Sequence, residues 1–276
     1  MKKLLLSFLM LAFVGISVSA ATYDAEKRVS TVGAEIMKKN GLPSVTFKVT
    51  ESADNSSIAT TNVFYVDKTA LTYAGNDNEV AAVIAGELGA IVNASASKKE
   101  FATSIANSIV QSIGDEKLQN AAYMASELSL TKMSNKDRRA ADITGVDLMI
   151  KAGYNPLAMI VVLGKNPGSM MEILRGRPSN FARTMNIYDY LSYNYPAKIK
   201  AGYACNEYRN FLAYVNPIVK KRESSASAKA KFQRTQAIAK QKRANELARY
   251  KATNGASGWD VSRALLESFT EVDESK

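Results

Sequence analysis

The stretch "DNEVAAVIAGELGAIV", residues 77–92, sets the terms for everything around it. Val80, Val83, Ile84, Leu88, Ile91 and Val92 recur at three- and four-residue spacing, so they share one side of a helix, and that side has to be buried against other elements. Asp77 or Asn78 is placed to cap this helix, because a short polar side chain there accepts from the amides that the first turn leaves unpaired. Beyond the first turn the only charge is Glu87, with Gly86 before it and Ala90 three residues after it.

The segments on either side suit such a helix. "DAEKRVSTVGAEIMKKNG" carries Val29, Val32, Ile36 and Met37 at helical spacing and ends at Gly41, a residue suited to stop a helix. "SVTFKVTES" and "TNVFYVDKTALTYAG" are rich in β-branched and aromatic residues and separated by "ADNSS"; they read as strands of a small sheet with "ALTYAG" at its edge. Further helices are predicted over 100–113, 115–133, 134–152 and 156–164, with Gly153 and then Pro156 stopping one and starting the next. The fold class is therefore α+β: a mostly helical domain with a small β-sheet beside the helix of residues 77–92, plus an extended basic C-terminal helix.

Composition removes a class of chemistry. The chain contains no histidine, which excludes a histidine metal ligand, a Ser-His or Cys-His pair and an imidazole base. Cys205 is its only cysteine, so no internal disulfide forms. The opening "MKKLLLSFLMLAFVGISVSA" has Lys2 and Lys3, an apolar run from Leu4 and the small-residue end Val18-Ser19-Ala20. It reads as a signal peptide over residues 1–20, and Gly15 with the small-residue end favours cleavage over retention as a membrane anchor. The expected location is exported, bacterial periplasm or secreted, with no transmembrane span after cleavage.

Composition shifts again after Pro217. Residues 219–251 hold eleven lysines and arginines against Glu223 and Glu246, which accounts for nine of the ten net positive charges. With Ala as the main apolar residue and Phe232, Ile238 and Leu247 thinly spaced, this stretch should be helical but bury little. A projecting helix is expected, then the break "NGASG" and a short amphipathic end, "WDVSRALLESF". The organisation is thus residues 1–20 signal, 22–218 main domain and 219–276 basic tail. Such a tail suits an anionic envelope surface; nucleic acid is not expected, because Phe232 and Tyr250 are too few to form a stacking platform.

On these residues the chain resembles a family, the HtpX-like and CAAX prenyl protease type zinc metallopeptidases, which are gluzincins. The likeness runs over most of residues 25–200: a helix, strands ending at Gly75, the acidic start and helix of residues 77–92, and then "SNKDRRAADITGVDLMIKAGYNPLAM". In that last segment Ala141, Asp142, Gly145, Ala152, Gly153, Tyr154 and Pro156 match the family's second signature, while Tyr195 and Pro196 in "NYPAKI" are a weaker echo of its downstream His-Pro segment. The resemblance implies a zincin-like fold with zinc as cofactor, a general base at Glu87 and an orienting carboxylate at Asp142.

The same comparison places the family's zinc ligands at Gly86, Ala90 and Arg138, none of which supplies a donor that zinc uses. No metal site is therefore expected, and no other cofactor. Glu87, Asp142, Glu79 and Asp137 offer oxygen atoms, but without the grouping a calcium or magnesium site needs. Charge balance suggests that Arg138 fills the metal's place and pairs with Glu87, Asp142 or both, since buried carboxylates need a counter-charge. The functional expectation is a pseudo-peptidase, a chaperone or adaptor that holds an extended polypeptide or envelope protein at the edge "ALTYAG" by strand addition. Residual metalloendopeptidase activity in envelope quality control, or envelope anchoring through the basic tail, are the alternatives.

Overall fold

The computed structural model describes residues 24–42, 44–53, 55, 61–91, 135–167 and 179–252. Asp24 opens the first helix: its carboxylate accepts from the Lys27 amide at 3.0 Å, and α1 (Ala25–Lys39) follows, burying Val29, Val32, Ile36 and Met37. The helix ends at Asn40, which is fully buried and donates through Nδ2 to the Ile36 carbonyl at 2.8 Å and to the Leu148 carbonyl at 3.0 Å. Gly41 then takes a left-handed turn at φ 65° and leads the chain out.

Strands β1 (Thr46–Thr50) and β2 (Val63–Asp67) pair in parallel, with Thr46 opposite Val63. Phe47 and Phe64 meet with ring centroids 5.3 Å apart. The tip of the Phe47 ring lies against Gly33 of α1, where any Cβ would overlap it, so α1 covers the sheet closely. β2 is shorter than expected. It stops at Asp67, whose carboxylate accepts from the Thr69 amide at 2.7 Å and starts the short helix α2 (Lys68–Leu71). "ALTYAG" is thus helix end and turn, not an edge strand: the capping aspartate ahead of it outweighs the β-propensity of Leu, Thr and Tyr.

Next comes α3, over residues 77–91. Its cap is Asn76, one residue earlier than expected, whose Oδ1 accepts from the Glu79 amide at 3.1 Å. Asp77 and Asn78 serve other ends: Asp77 accepts from Arg28 of α1 at 2.5 Å, and Asn78 from the Asn155 amide at 2.8 Å. Val80, Val83, Ile84, Leu88 and Ile91 are all buried, as the periodicity requires.

Six further helices are described after α3. They are α4 (Asn135–Ala152), α5 (Leu157–Lys165), α6 (Phe181–Asn194), α7 (Pro196–Ala201), α8 (Asn206–Glu223) and α9 (Ala226–Ala252). Residues Leu157 to Leu163 of α5 are buried without interruption, which places α5 inside the core rather than on it. α8 continues through Pro217 to Glu223, so the compositional shift falls within a helix and the break comes at Ser224 and Ser225. The helix expected to project is docked at two points: Phe232 packs on Tyr193, and Arg243 reaches Asp147. The molecule is α+β and mostly helical, with its small sheet on the α1 side. The helices expected over 100–113 and 115–133, residue Val92, the leader and the amphipathic end lie outside the described residues. Among those described, no helix is long and apolar enough to cross a membrane.

Candidate functional site around Glu87

The start of α3 is held by a buried carboxylate. Glu79, 3% exposed, accepts from the Gly75 amide at 2.7 Å, Asn76 Nδ2 at 3.0 Å, Lys165 Nζ at 2.7 Å and Tyr203 Oη at 3.2 Å. Burial alone would raise its pKa, but the lysine, the amide and the phenol together hold it below the ordinary carboxylate value. Lys165 and Tyr203 lie 86 and 124 residues away in sequence, and no spacing pointed to them.

One turn past the middle, α3 crosses α4 backbone against backbone. A Cβ at Gly89 would overlap the Ala141 carbonyl, and one at Gly145 would lie 2.6 Å from the Ala85 carbonyl oxygen. The two glycines therefore fix how near the helices come. Gly86 is different: a Cβ there would sit 3.7 Å from Cε and Sδ of Met159, an ordinary contact. Gly86 and Ala90 are partly exposed.

Between them Glu87 turns toward the sheet. Its Oε2 accepts from Asn55 Nδ2 at 3.3 Å. The same Asn55 carboxamide donates to the Tyr65 carbonyl at 2.9 Å and accepts from the Tyr65 amide at 2.7 Å, so it meets β2 as a neighbouring peptide group would. Burial, reinforced by the negative charge of Asp67, pushes the Glu87 carboxyl up to about 7 against the weaker pull of Asn55. Asn55 was seen in the sequence only as part of a break between strands; nothing in its spacing ties it to Glu87.

The remaining site residues correct one expectation. Arg138 is exposed on α4 and forms no ion pair with Glu87 or Asp142. Asp142, 2% exposed, is instead paired with Arg183 of α6, whose Nε and Nη2 donate to its two oxygens at 2.9 and 2.6 Å. A guanidinium approaching from a separate helix can meet both oxygens at once, a geometry that gains more than a single contact along one helix. The counter-charge at Asp142 is thus Arg183 rather than Arg138, and Glu87 forms no ion pair among the described residues.

The donor set does not fit zinc. A zinc site on such a helix pair needs neutral nitrogen or ionised oxygen or sulfur directed at the ion; Gly86 carries no side chain, Ala90 carries a methyl group, and the Arg138 cation is exposed. Among the described residues, His, Cys, Asp and Glu form no group of three that could hold a metal ion. What the site does offer is a carboxyl that titrates near neutrality beside a carboxamide and a strand edge, a set of groups that can donate to or accept from an amide.

A second polar centre lies further along α4. Asp147, fully buried, accepts from Tyr190 Oη at 2.6 Å and Tyr195 Oη at 3.4 Å on one oxygen and from Arg243 Nη2 at 2.6 Å on the other. Burial raises its pKa, against the pull of Arg243 and the phenols. Tyr195 is the residue of the "NYPAKI" segment, and Pro196 occupies the first position of α7, where its missing amide costs nothing.

Compared with known proteins, the chain matches the family model described as Peptidase family M48 over residues 24–222. No curated protein and no solved structure matches it.

Proposed function

The chain belongs to peptidase family M48 and is metallopeptidase-like, and from that premise we propose that it is an exported, non-hydrolytic member of the family that holds polypeptides in the bacterial envelope as a chaperone or adaptor. One observation carries this reading: Glu87, at the family's general-base position, faces Asn55 and β2, and the flanking Gly86 and Ala90 bring no metal donor.

The energetics follow from the carboxyl's own pKa. Moving a proton from ordinary water, with a pKa of about 15.7, to a carboxylate titrating near 7 is uphill by about nine units, roughly 12 kcal/mol. A well-placed general base contributes about 10²- to 10⁴-fold, roughly 3–5 kcal/mol, and leaves most of that barrier standing. The same carboxyl remains an effective hydrogen-bonding group for an amide. An extended chain would add at the outward edge of β2 in place of the Asn55 carboxamide, which fills the Tyr65 amide and carbonyl, since the Asn62 carbonyl serves β1 through the Thr46 amide at 2.8 Å and Tyr65 faces the other way.

The test joins metal analysis with casein, on chain purified without chelator. The expected result is substoichiometric zinc, no chelator-sensitive cleavage, and retention of unfolded casein that chelator does not change. Stoichiometric zinc with cleavage would return the protein to the active peptidases, and casein neither cut nor retained would remove the polypeptide-holding role. The variant Gly86→His/Ala90→His/Arg138→Glu is expected to gain zinc affinity, because the backbone at Gly86 has room for a side chain.

A further inference from the structure

Helix α9 has two differently built sides. Ala228, Phe232, Gln236 and Arg243 are partly covered, while the residues between them are exposed. Phe232 meets Tyr193 edge-on with centroids 6.4 Å apart, and the Arg222 guanidinium sits 3.7 Å above its ring. Eleven residues later Arg243 donates to buried Asp147 at 2.6 Å and lies 5.3 Å over the Tyr190 ring. Two anchors that far apart fix the helix's rotation about its own axis.

The rotation they impose turns a particular stripe outward. Lys231, Arg234, Ile238 and Lys242 follow one another at spacings of three and four residues, so they share a face, and all four are exposed, Ile238 at 59%. Lys231 and Arg234 enter no ion pair among the described residues. We propose that this stripe is a docking face for an anionic lipid bilayer, with α9 lying along the headgroups and Ile238 entering the boundary with the acyl chains.

A row of cations by itself would suit any polyanion. Ile238 separates the cases: an apolar side chain set among lysines gains from burial at the acyl boundary and gains nothing on an acidic glycan or a nucleic acid. Phe232 is engaged with Tyr193 and Arg222, so it offers no stacking surface to single-stranded nucleic acid. Lysine and arginine stems are long enough to keep their charges at phosphate level while the helix axis sits close to the surface.

Vesicle flotation of the full chain tests this. Strong binding is expected to vesicles containing phosphatidylglycerol and little to pure phosphatidylcholine, falling at least about tenfold when salt rises from roughly 50 to 500 mM. Lys231→Glu/Arg234→Glu should lower partitioning at least about 25-fold, near fivefold for each basic residue removed. Ile238→Ala should lower vesicle binding several-fold and leave heparin binding unchanged. Vesicle binding that survives the double reversal overturns the proposal. So does an Ile238→Ala variant that floats as well as the parent, because the stripe is then a general polyanion surface rather than a membrane face.

Discussion

Arg183 on α6 takes both carboxylate oxygens of Asp142 on α4, at 2.9 and 2.6 Å, across forty-one residues of sequence. The pair is a fork meeting a fork, with the carboxylate almost wholly out of water. Removing the guanidinium strands a buried charge. Arg183→Ala is therefore expected to cost about 3–5 kcal/mol by urea unfolding, and Arg183→Met with Asp142→Asn should recover much of it. Arg138→Ala, at an exposed position, should stay within about 0.5 kcal/mol. A large loss at Arg138 with little at Arg183 would reverse the assignment.

Glu87 gives a pH-dependent signature. Its carboxyl titrates near 4.5 when unfolded and near 7 when folded, so folding favours the protonated form. Its effect on stability is absent below about pH 4.5, grows as pH rises, and is complete above 7 as a loss of up to about 3 kcal/mol. Glu87→Gln removes that term. The difference in unfolding free energy between variant and parent should widen from pH 4.5 to 7 in the variant's favour and then level off. A difference that does not change with pH would mean an ordinary, solvated carboxyl.

The glycines of α3 and α4 divide by position. Gly89→Ala and Gly145→Ala push a methyl group into the backbone of the facing helix, and each should lower stability by about 1–3 kcal/mol or more, the range for overpacked cores. Gly86→Ala meets only Met159 at contact distance and should gain up to about 1 kcal/mol from helix propensity. Thermal midpoints of the three variants measure the contrast directly.

Arg243 ties the basic helix to the body through a fully buried aspartate. Arg243→Ala is expected to cost about 3–5 kcal/mol and to expose the far end of α9 to trypsin at lower protease concentrations than the parent needs. Asp147→Asn in the same chain should reduce the loss of stability without restoring the protection. Unchanged digestion of Arg243→Ala would show that Phe232 alone holds the helix down.

The legible parts of this molecule were those governed by local periodicity and caps. The buried faces of α1 and α3 follow from their spacing, as do the turn at Gly41 and the stop at Gly153 before α5. The end of β2 was missed because Asp67 caps a helix within a stretch whose composition favours strand. The cap at Asn76 was displaced by one residue because Asp77 and Asn78 are equally good caps by type, and only the packing of Arg28 and Asn155 decides between them. Asn55, Lys165, Arg183 and Tyr203 stayed invisible for a common reason: each acts on a residue more than thirty positions away, and pairing at that range is a product of the finished fold. Arg243 lay in plain sight within a charged run, where a cation that pairs with a buried aspartate has the same residue type as its solvated neighbours.

The meeting of Gly89 with Ala141 and Gly145 means that the gap between α3 and α4 is gauged by main chain alone. Side chains bordering that gap can be exchanged without altering its width, much as a door frame keeps its dimensions when the lock is taken out. Chemistry at residues 86, 90 and 138 is thereby decoupled from architecture, and refitting it is a problem of three side chains rather than of refolding a domain.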